Sequence, residues 1–136
     1  MANPTSKIID QMMDQDFFSQ WLNVKRIEEG PGYCTLEMTV RKEMLNGFGI
    51  LHGGVSFAFA DSAFAFASNS RGRKAVSIET SITHFSAGKE GDVLRTYVTE
   101  QHVSNKIGTY LIEVRNQAEE KIALFKGTVY RTSKEW

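Results

Sequence analysis

Cysteine is nearly absent from this chain. The single Cys34 excludes an internal disulfide and any site built from several thiolates. The three histidines, His52, His84 and His102, fall at no spacing that a metal motif uses, so no metal site is expected. The only prolines, Pro4 and Pro31, both lie in the first quarter. Net charge is missing too, with 16 Lys plus Arg against 16 Asp plus Glu. That balance argues against a nucleic-acid partner held by a general basic field. No long apolar run is present. The longest, around residues 55–67, is broken by Ser56, Asp61 and Ser62 and is too short and polar to span a membrane. Between Met1 and Asp16 there is no basic stretch followed by an apolar one, so no signal peptide is expected. A lone cysteine fits a reducing compartment, and the expected location is cytoplasmic.

What is present is enough for one folded domain over 1–136. Of 136 residues, 41% are hydrophobic and 24% charged, which argues against disorder. A chain of this length buries about two-thirds of the surface its unfolded form exposes. Apolar residues between Ser6 and Leu22 recur at near-helical spacing, predicting a helix over about 6–22, capped by Thr5 or Ser6 and open to a break near Asp16. Strands are expected over 23–29 and 33–40, on either side of the turn Gly30-Pro31-Gly32. A glycine-rich loop, residues 46–54, then leads into Val55–Asn69. Ten of the thirteen residues from Val55 to Ala67 are Ala, Val or Phe, and alanine favours a helix here. A helix apolar nearly all round belongs at the centre of a core, and Gly72 is placed to close it. Further strands are expected over about 74–85, 92–103, 108–116 and 121–132. The fold class is α+β: an antiparallel five- to six-stranded sheet wrapped around one long central helix.

Asp61 is the most informative residue. It interrupts Phe57-Ala58-Phe59-Ala60 and Ala63-Phe64-Ala65-Phe66, where an ionised carboxylate is costly unless paired or solvated. Two readings stand side by side. One is a functional carboxylate with a raised pKa. The other is a residue that faces solvent or bonds nearby backbone. His52-Gly53-Gly54 opens the same helix. Its first N–H groups have no helical partners and sit at the positive end of the dipole, a natural cradle for an anion or a developing oxyanion. A tight turn before a helix explains the two glycines equally well. The spacing adds a constraint. Gly53 and Asp61 are eight residues apart, roughly 12 Å along one helix, whereas reacting groups must come within about 3–3.5 Å. If both serve one site, Asp61 comes from a second copy of the chain, in a two-fold dimer with two equivalent sites.

Asn46-Gly47-x-Gly49-x-x-His52-Gly53-Gly54, with Asp61 seven residues on, resembles the hotdog-fold acyl-CoA thioesterases of the PaaI (phenylacetate-degradation) type. The likeness continues through Val76-Ser77-Ile78-Glu79-Thr80, Gly88-x-x-Gly91-Asp92, Gly108-x-Tyr110, Asn116-Gln117 and Ala123-Leu124-Phe125-Lys126-Gly127, and so covers about residues 33–132. The resemblance implies hydrolysis of an acyl-CoA to a free acid and coenzyme A. No cofactor is implied, because coenzyme A is part of the substrate. In that scheme the Gly53 N–H polarises the thioester carbonyl. Asp61 of the partner subunit is general base or nucleophile, Asn46 positions the carbonyl or the water, His52 orders the loop, and Ser77 helps hold the lytic water. Gly54 and the loop lysines Lys89 and Lys106 form the candidate substrate-binding set. Phe48 stands where close relatives often carry His. The family pairs homodimers into tetramers. Aromatic acyl groups, such as phenylacetyl-CoA or hydroxyphenylacetyl-CoA, are the first expected substrates, and medium-chain acyl-CoA the next. Two rivals remain: a hotdog dehydratase or hydratase, for which only His52 is placed to act, and a non-catalytic acyl-CoA-binding module, which has no need of Asp61. His84, His102 and Cys34 read as structural or surface residues, as does the basic run Arg71, Arg73 and Lys74. The Phe57, Phe59, Phe64 and Phe66 set reads mostly as core.

Overall fold

The computed structural model describes residues 3–136; Met1 and Ala2, the first two residues of the expected domain, lie outside it. The elements in order are α1 (Pro4–Gln15), α2 (Phe17–Leu22), β1 (Lys25–Gly30), β2 (Tyr33–Thr39), α3 (Gly53–Asn69), β3 (Arg73–His84), β4 (Val93–Val103), β5 (Ile107–Arg115) and β6 (Lys121–Glu135), with a short 3-10 turn at Lys42–Met44. The six strands form one antiparallel sheet in the order β1-β2-β4-β5-β6-β3. The expected α+β class holds, with six strands in the sheet.

The N-terminal helix is two helices. Asp16 leaves helical backbone, its N–H donates to Met13 O, and its side chain accepts the N–H of Ser19. One aspartate therefore ends α1 and caps α2, because its short carboxylate competes with the backbone for hydrogen bonds. The α1 cap is Asn3, not Thr5 or Ser6. Pro4 follows it at the first helical position, where a missing N–H costs nothing. Thr5 is buried instead and donates to Ser70 O at 3.1 Å, tying α1 to the end of α3.

α3 starts two residues earlier than the alanine pattern suggests, at Gly53. It is about 25 Å long and lies across the inner face of the sheet. Phe59, Ala60, Ala63, Phe64, Phe66 and Ala67 are buried on it. They pack on Leu36, Met38, Leu94, Ile112, Phe125 and Val129 from the strands. Phe64 meets Tyr110 and Phe125 with ring centroids 5.9 and 5.5 Å apart. A Cβ at Gly127 would lie 2.6 Å from the Phe64 ring, so the missing side chain lets the helix reach the sheet. Burying an aromatic side chain of this kind contributes roughly 1.5–3 kcal/mol.

The β3 strand is an edge, bonded to β6 on one side only. Directly opposed residues share a face of the sheet. Ser77, Thr80, Ile82 and His84 pair with Val129, Gly127, Phe125 and Ala123, all buried, and therefore point to the α3 side. A register shift between Ser77 and Glu79 breaks the alternation. Val76 and Ile78 are more than half exposed, at 54% and 58%. Twelve residues of edge strand left bare, with Val76 and Ile78 exposed on it, are a template for pairing with another strand.

Candidate active site at the N-terminus of the central helix

A cleft of about 340 Å³ opens at the start of α3, lined by Asn46, Gly53, Ser56, His84, Gly88 and Ile122 among others. The loop that forms one wall is held by backbone bonds. Leu51 N–H donates to Gly88 O and His52 N–H to Met44 O, both at 2.8 Å. Gly88 is buried under Leu51, and a Cβ there would come within 2.9 Å of the Leu51 side chain.

Asn46 closes the tight turn beneath the cleft. Its Oδ1 accepts the N–H of Phe48 at 2.9 Å and faces that of Ile50 at 3.4 Å. Two N–H donors aimed at one atom identify it as the oxygen. The Nδ2 amide is then left without a partner among the described residues. Phe48 itself stands 89% exposed at the tip of the turn, away from the cleft lining.

His52 caps α3. Its Nδ1 accepts the Gly54 N–H at 2.8 Å, so that ring nitrogen is unprotonated. Val55 and Ser56 N–H groups both turn to His52 O. Of the first four N–H groups of the helix, Gly53 alone has no acceptor among the described residues. Gly54 therefore has no N–H left to offer a substrate. What it contributes is lack of bulk, since a Cβ there would lie 3.0 Å from His52 Nδ1. The cleft thus presents two unpaired donors, Gly53 N–H and the Asn46 amide, at the positive end of a helix dipole.

Asp61 is not in this cleft. It lies two turns along α3, partly buried, with no hydrogen bond from the described residues. Burial pushes its carboxyl above the usual carboxylate range, and the negative charge of Asp16 adds to the shift. The link to α2 runs through the neighbouring residue. Ser19 Oγ donates to Asp16 Oδ2 at 2.7 Å and lies 2.7 Å from Ser62 Oγ, which then supplies the hydrogen of that second contact.

The other candidates are dispersed in a single chain. Ser77 is exposed on the inner side of edge strand β3. Lys89 and Lys106 are exposed in the β3–β4 and β4–β5 turns. None of the three lines the cleft. Cys34 is fully buried, and burial pushes its thiol up to about 12, which removes it as a nucleophile. Phe59, Phe64 and Phe66 are core. Among the described residues, no group of three or more His, Cys, Asp or Glu is gathered to hold a metal ion.

Two residues in the cleft escaped sequence reasoning. His84 Nε2 lies 2.8 Å from Ser56 Oγ, and the ring stands over Gly53. The pair is separated by 28 positions. Ser56 lies three residues after Gly53, which places it on the same face of the first turn, and that is the only local signal. The bond to His84 is set by where β3 ends.

The sequence profile of the thioesterase superfamily matches residues 48–123, which contain Gly53, Asp61 and Ser77. A protein of Archaeoglobus fulgidus carrying the provisional name of an esterase is 44% identical over 130 residues, 96% of this chain and 84% of that one. The Escherichia coli acyl-coenzyme A thioesterase PaaI is 37% identical over 120 residues, 88% of this chain and 86% of its own. The structure of E. coli PaaI superposes with a TM-score of 0.94 and 33% identity, over 97% of this chain and 96% of that one. A Streptococcus mutans protein solved bound to acetyl CoA matches with a TM-score of 0.81 and 27% identity, over 84% and 92% of the two chains. With its six-stranded sheet wrapped on one helix and a donor pair at that helix's start, the chain belongs to the thioesterase superfamily, as a PaaI-like thioester hydrolase of the hotdog fold.

Proposed function

We propose that this protein hydrolyses acyl-CoA thioesters at the cleft where α3 begins. The observation that carries the reading is the pair of free donors, Gly53 N–H and Asn46 Nδ2–H, lining one cavity. Donors fixed before the reaction stabilise the negative charge that a thioester oxygen gains on attack, and each contributes about 10²–10³ in rate. Asp61 supplies the other half of the chemistry. As a general base it takes a proton from water, whose oxygen bonds to the acyl carbon. The C–S bond then breaks, and the thiolate of coenzyme A leaves and takes up a proton. As a nucleophile it forms an acyl-aspartyl anhydride that water cleaves. A raised pKa serves the base role, because a stronger base accepts a proton more readily. Neither route calls for a metal or a redox cofactor.

Eight residues of helix separate Asp61 from Gly53, so the carboxylate is assigned to the partner subunit. The support is the bare edge of β3, which exposes Val76 and Ile78 and carries Ser77 on its inner side. Pairing two β3 edges antiparallel covers Val76 and Ile78 and sets two copies of α3 side by side. Exposed Phe17, Phe18 and Trp21 on α2 support a further pairing of dimers into a tetramer. We take the acyl group to be aromatic, as in phenylacetyl-CoA or hydroxyphenylacetyl-CoA, or else medium-chain, after the E. coli relative. Lys89 and Lys106 are proposed to meet coenzyme A phosphates. The location proposed is cytoplasmic, supported by a lone free cysteine; no described helix is long and apolar enough to cross a membrane.

The test is thiol release from a panel of aromatic and straight-chain acyl-CoAs, with wild type beside Asp61→Asn. Turnover by the wild type with a loss of about 10²-fold or more in the variant is expected. Binding of acyl-CoA with no thiol release would favour the non-catalytic module instead.

A further inference from the structure

The cleft holds a hydrogen-bonded pair that the scheme above does not use. Ser56 has one hydroxyl hydrogen. Its Oγ donates to Gly53 O at 3.0 Å, within the first turn of α3. The same oxygen lies 2.8 Å from His84 Nε2. With the serine hydrogen already committed, the hydrogen of the second contact belongs to the histidine. The chain therefore runs His84 Nε2–H to Ser56 Oγ–H to Gly53 C=O. His84 approaches Gly53 from the other side as well. Its Cε1 would lie 3.2 Å from a Cβ at position 53, the nearest atom that such a side chain would meet. Ser56 and His84 both belong to the cleft lining. The imidazole comes from the last residue of β3, so the strand that carries the bare edge also fixes the first turn of α3.

We propose that His84 and Ser56 are a positioning pair for the thioester. They hold residue Gly53 from two sides, Ser56 through the carbonyl of the Gly53–Gly54 peptide and His84 beside the position a Cβ would take. The free N–H of the preceding peptide then points into the cleft, and the ring edge forms the wall against which the reacting carbonyl rests. The role follows from the geometry. The first turn of a helix frays most easily, and Gly53 and Gly54 have no side chains to restrain it. Ser56 ties down the carbonyl side of Gly53 and His84 limits its movement into the cleft. A donor misplaced by about 1 Å costs up to about 10²-fold in rate. The inference rests on the thioesterase reading.

The experiment is steady-state thiol release by wild type, His84→Ala, His84→Gln, Ser56→Ala and the double variant His84→Ala/Ser56→Ala, with melting curves for each. His84→Ala is expected to lose about 10- to 100-fold in kcat with KM within about threefold, because orientation rather than coenzyme A binding is lost. His84→Gln carries an N–H near the position of Nε2 and recovers most of that loss. Ser56→Ala matches His84→Ala, and the double variant is no worse than either, since the two residues act as one unit. Losses that multiply in the double variant, or no recovery with Gln in a folded protein, would overturn the pairing. So would single variants within about twofold of a wild type that turns over, and that result leaves the thioesterase reading intact. A wild type that releases no thiol from any acyl-CoA sinks the reading itself and this inference with it. Should His84→Ala fail to fold, Ser56→Ala and His84→Gln decide the matter alone.

Discussion

His52 Nδ1 accepts the N–H of Gly54 at 2.8 Å, and the N–H of Gly53 beside it meets no acceptor among the described residues. A side-chain cap usually serves the helix. Here it also decides which N–H of the first turn is left unbonded. Removing the cap in His52→Ala is expected to cost about 1 kcal/mol of stability, lowering Tm by roughly 3–6 °C. It should lower kcat more than that loss implies, because two adjacent N–H groups then compete for one carbonyl. His52→Asn, whose side-chain oxygen can accept the same bond, should restore both. Thermal melts and thiol release on the three proteins check this.

Asn46 both holds a turn and lines the cleft. Its Oδ1 holds the turn through Phe48 N–H, while its Nδ2 faces no acceptor among the described residues. Asn46→Asp keeps an oxygen for the turn and replaces the donor with an acceptor. Loss of one such donor should lower kcat by about 10²–10³-fold, with Tm nearly unchanged. A variant that keeps wild-type kcat would remove Asn46 from carbonyl binding.

Asp61 is held at a cost to the fold. Its carboxyl is raised first by burial and then by Asp16, so ionisation disfavours the native state. The sign follows from linkage. A carboxyl raised in the folded protein favours the fold fully only below its unfolded pKa, and that advantage is lost as pH climbs through the folded value. At neutral pH Asp61→Asn should therefore be more stable than wild type, by about 2–5 °C in Tm, while losing activity. The stability gap should shrink as pH falls through the folded pKa and close below the unfolded value of about 4, where the wild-type carboxyl becomes protonated in both states. A variant less stable than wild type at pH 7 would mean that Asp61 makes favourable contacts once the chains assemble.

Asp16 is the adjustable part of that shift. Asp16→Asn keeps a side-chain oxygen for the Ser19 N–H, so α2 stays capped. It removes the negative charge, which lowers the Asp61 pKa. The acid limb of the kcat/KM profile should move to lower pH, with the plateau within about threefold of wild type. An unmoved limb would show that burial alone sets the Asp61 pKa.

Local chemistry made much of this legible in advance. Alanine and phenylalanine without β-branching marked α3, and turn residues marked each hairpin, so strand boundaries fell within a few residues. The cap at Asn3 was hidden because Thr5 and Ser6 are equally good caps by type, and only packing against Ser70 decides that Thr5 turns inward. Asp61 was conspicuous because a carboxylate in an apolar helix needs a reason. His84 was not, and Asp16 stood out only as a helix break. Each matters through a residue far away in sequence, His84 through Ser56 and Asp16 through Asp61, and no periodicity encodes a contact between a strand end and a helix start.

The same helix geometry that separates Gly53 from Asp61 gives a way to test the shared site. Suppose each site takes Gly53 and Asn46 from one chain and Asp61 from the other. Asp61→Asn and Asn46→Asp homodimers are then both inactive. Mixed and reassembled, the hybrid dimer places the intact Asn46 of the first variant opposite the intact Asp61 of the second. One of its two sites is whole and the other carries both lesions. Random exchange of equal amounts makes half the dimers hybrid, so about a quarter of the wild-type activity should return. Sites built within one chain would recover nothing, because every chain in the mixture carries a lesion. Recovery should disappear when Ile78→Lys is added to both variants. A charge on the bare edge of β3 opposes strand pairing, and the sites would then lack Asp61 altogether.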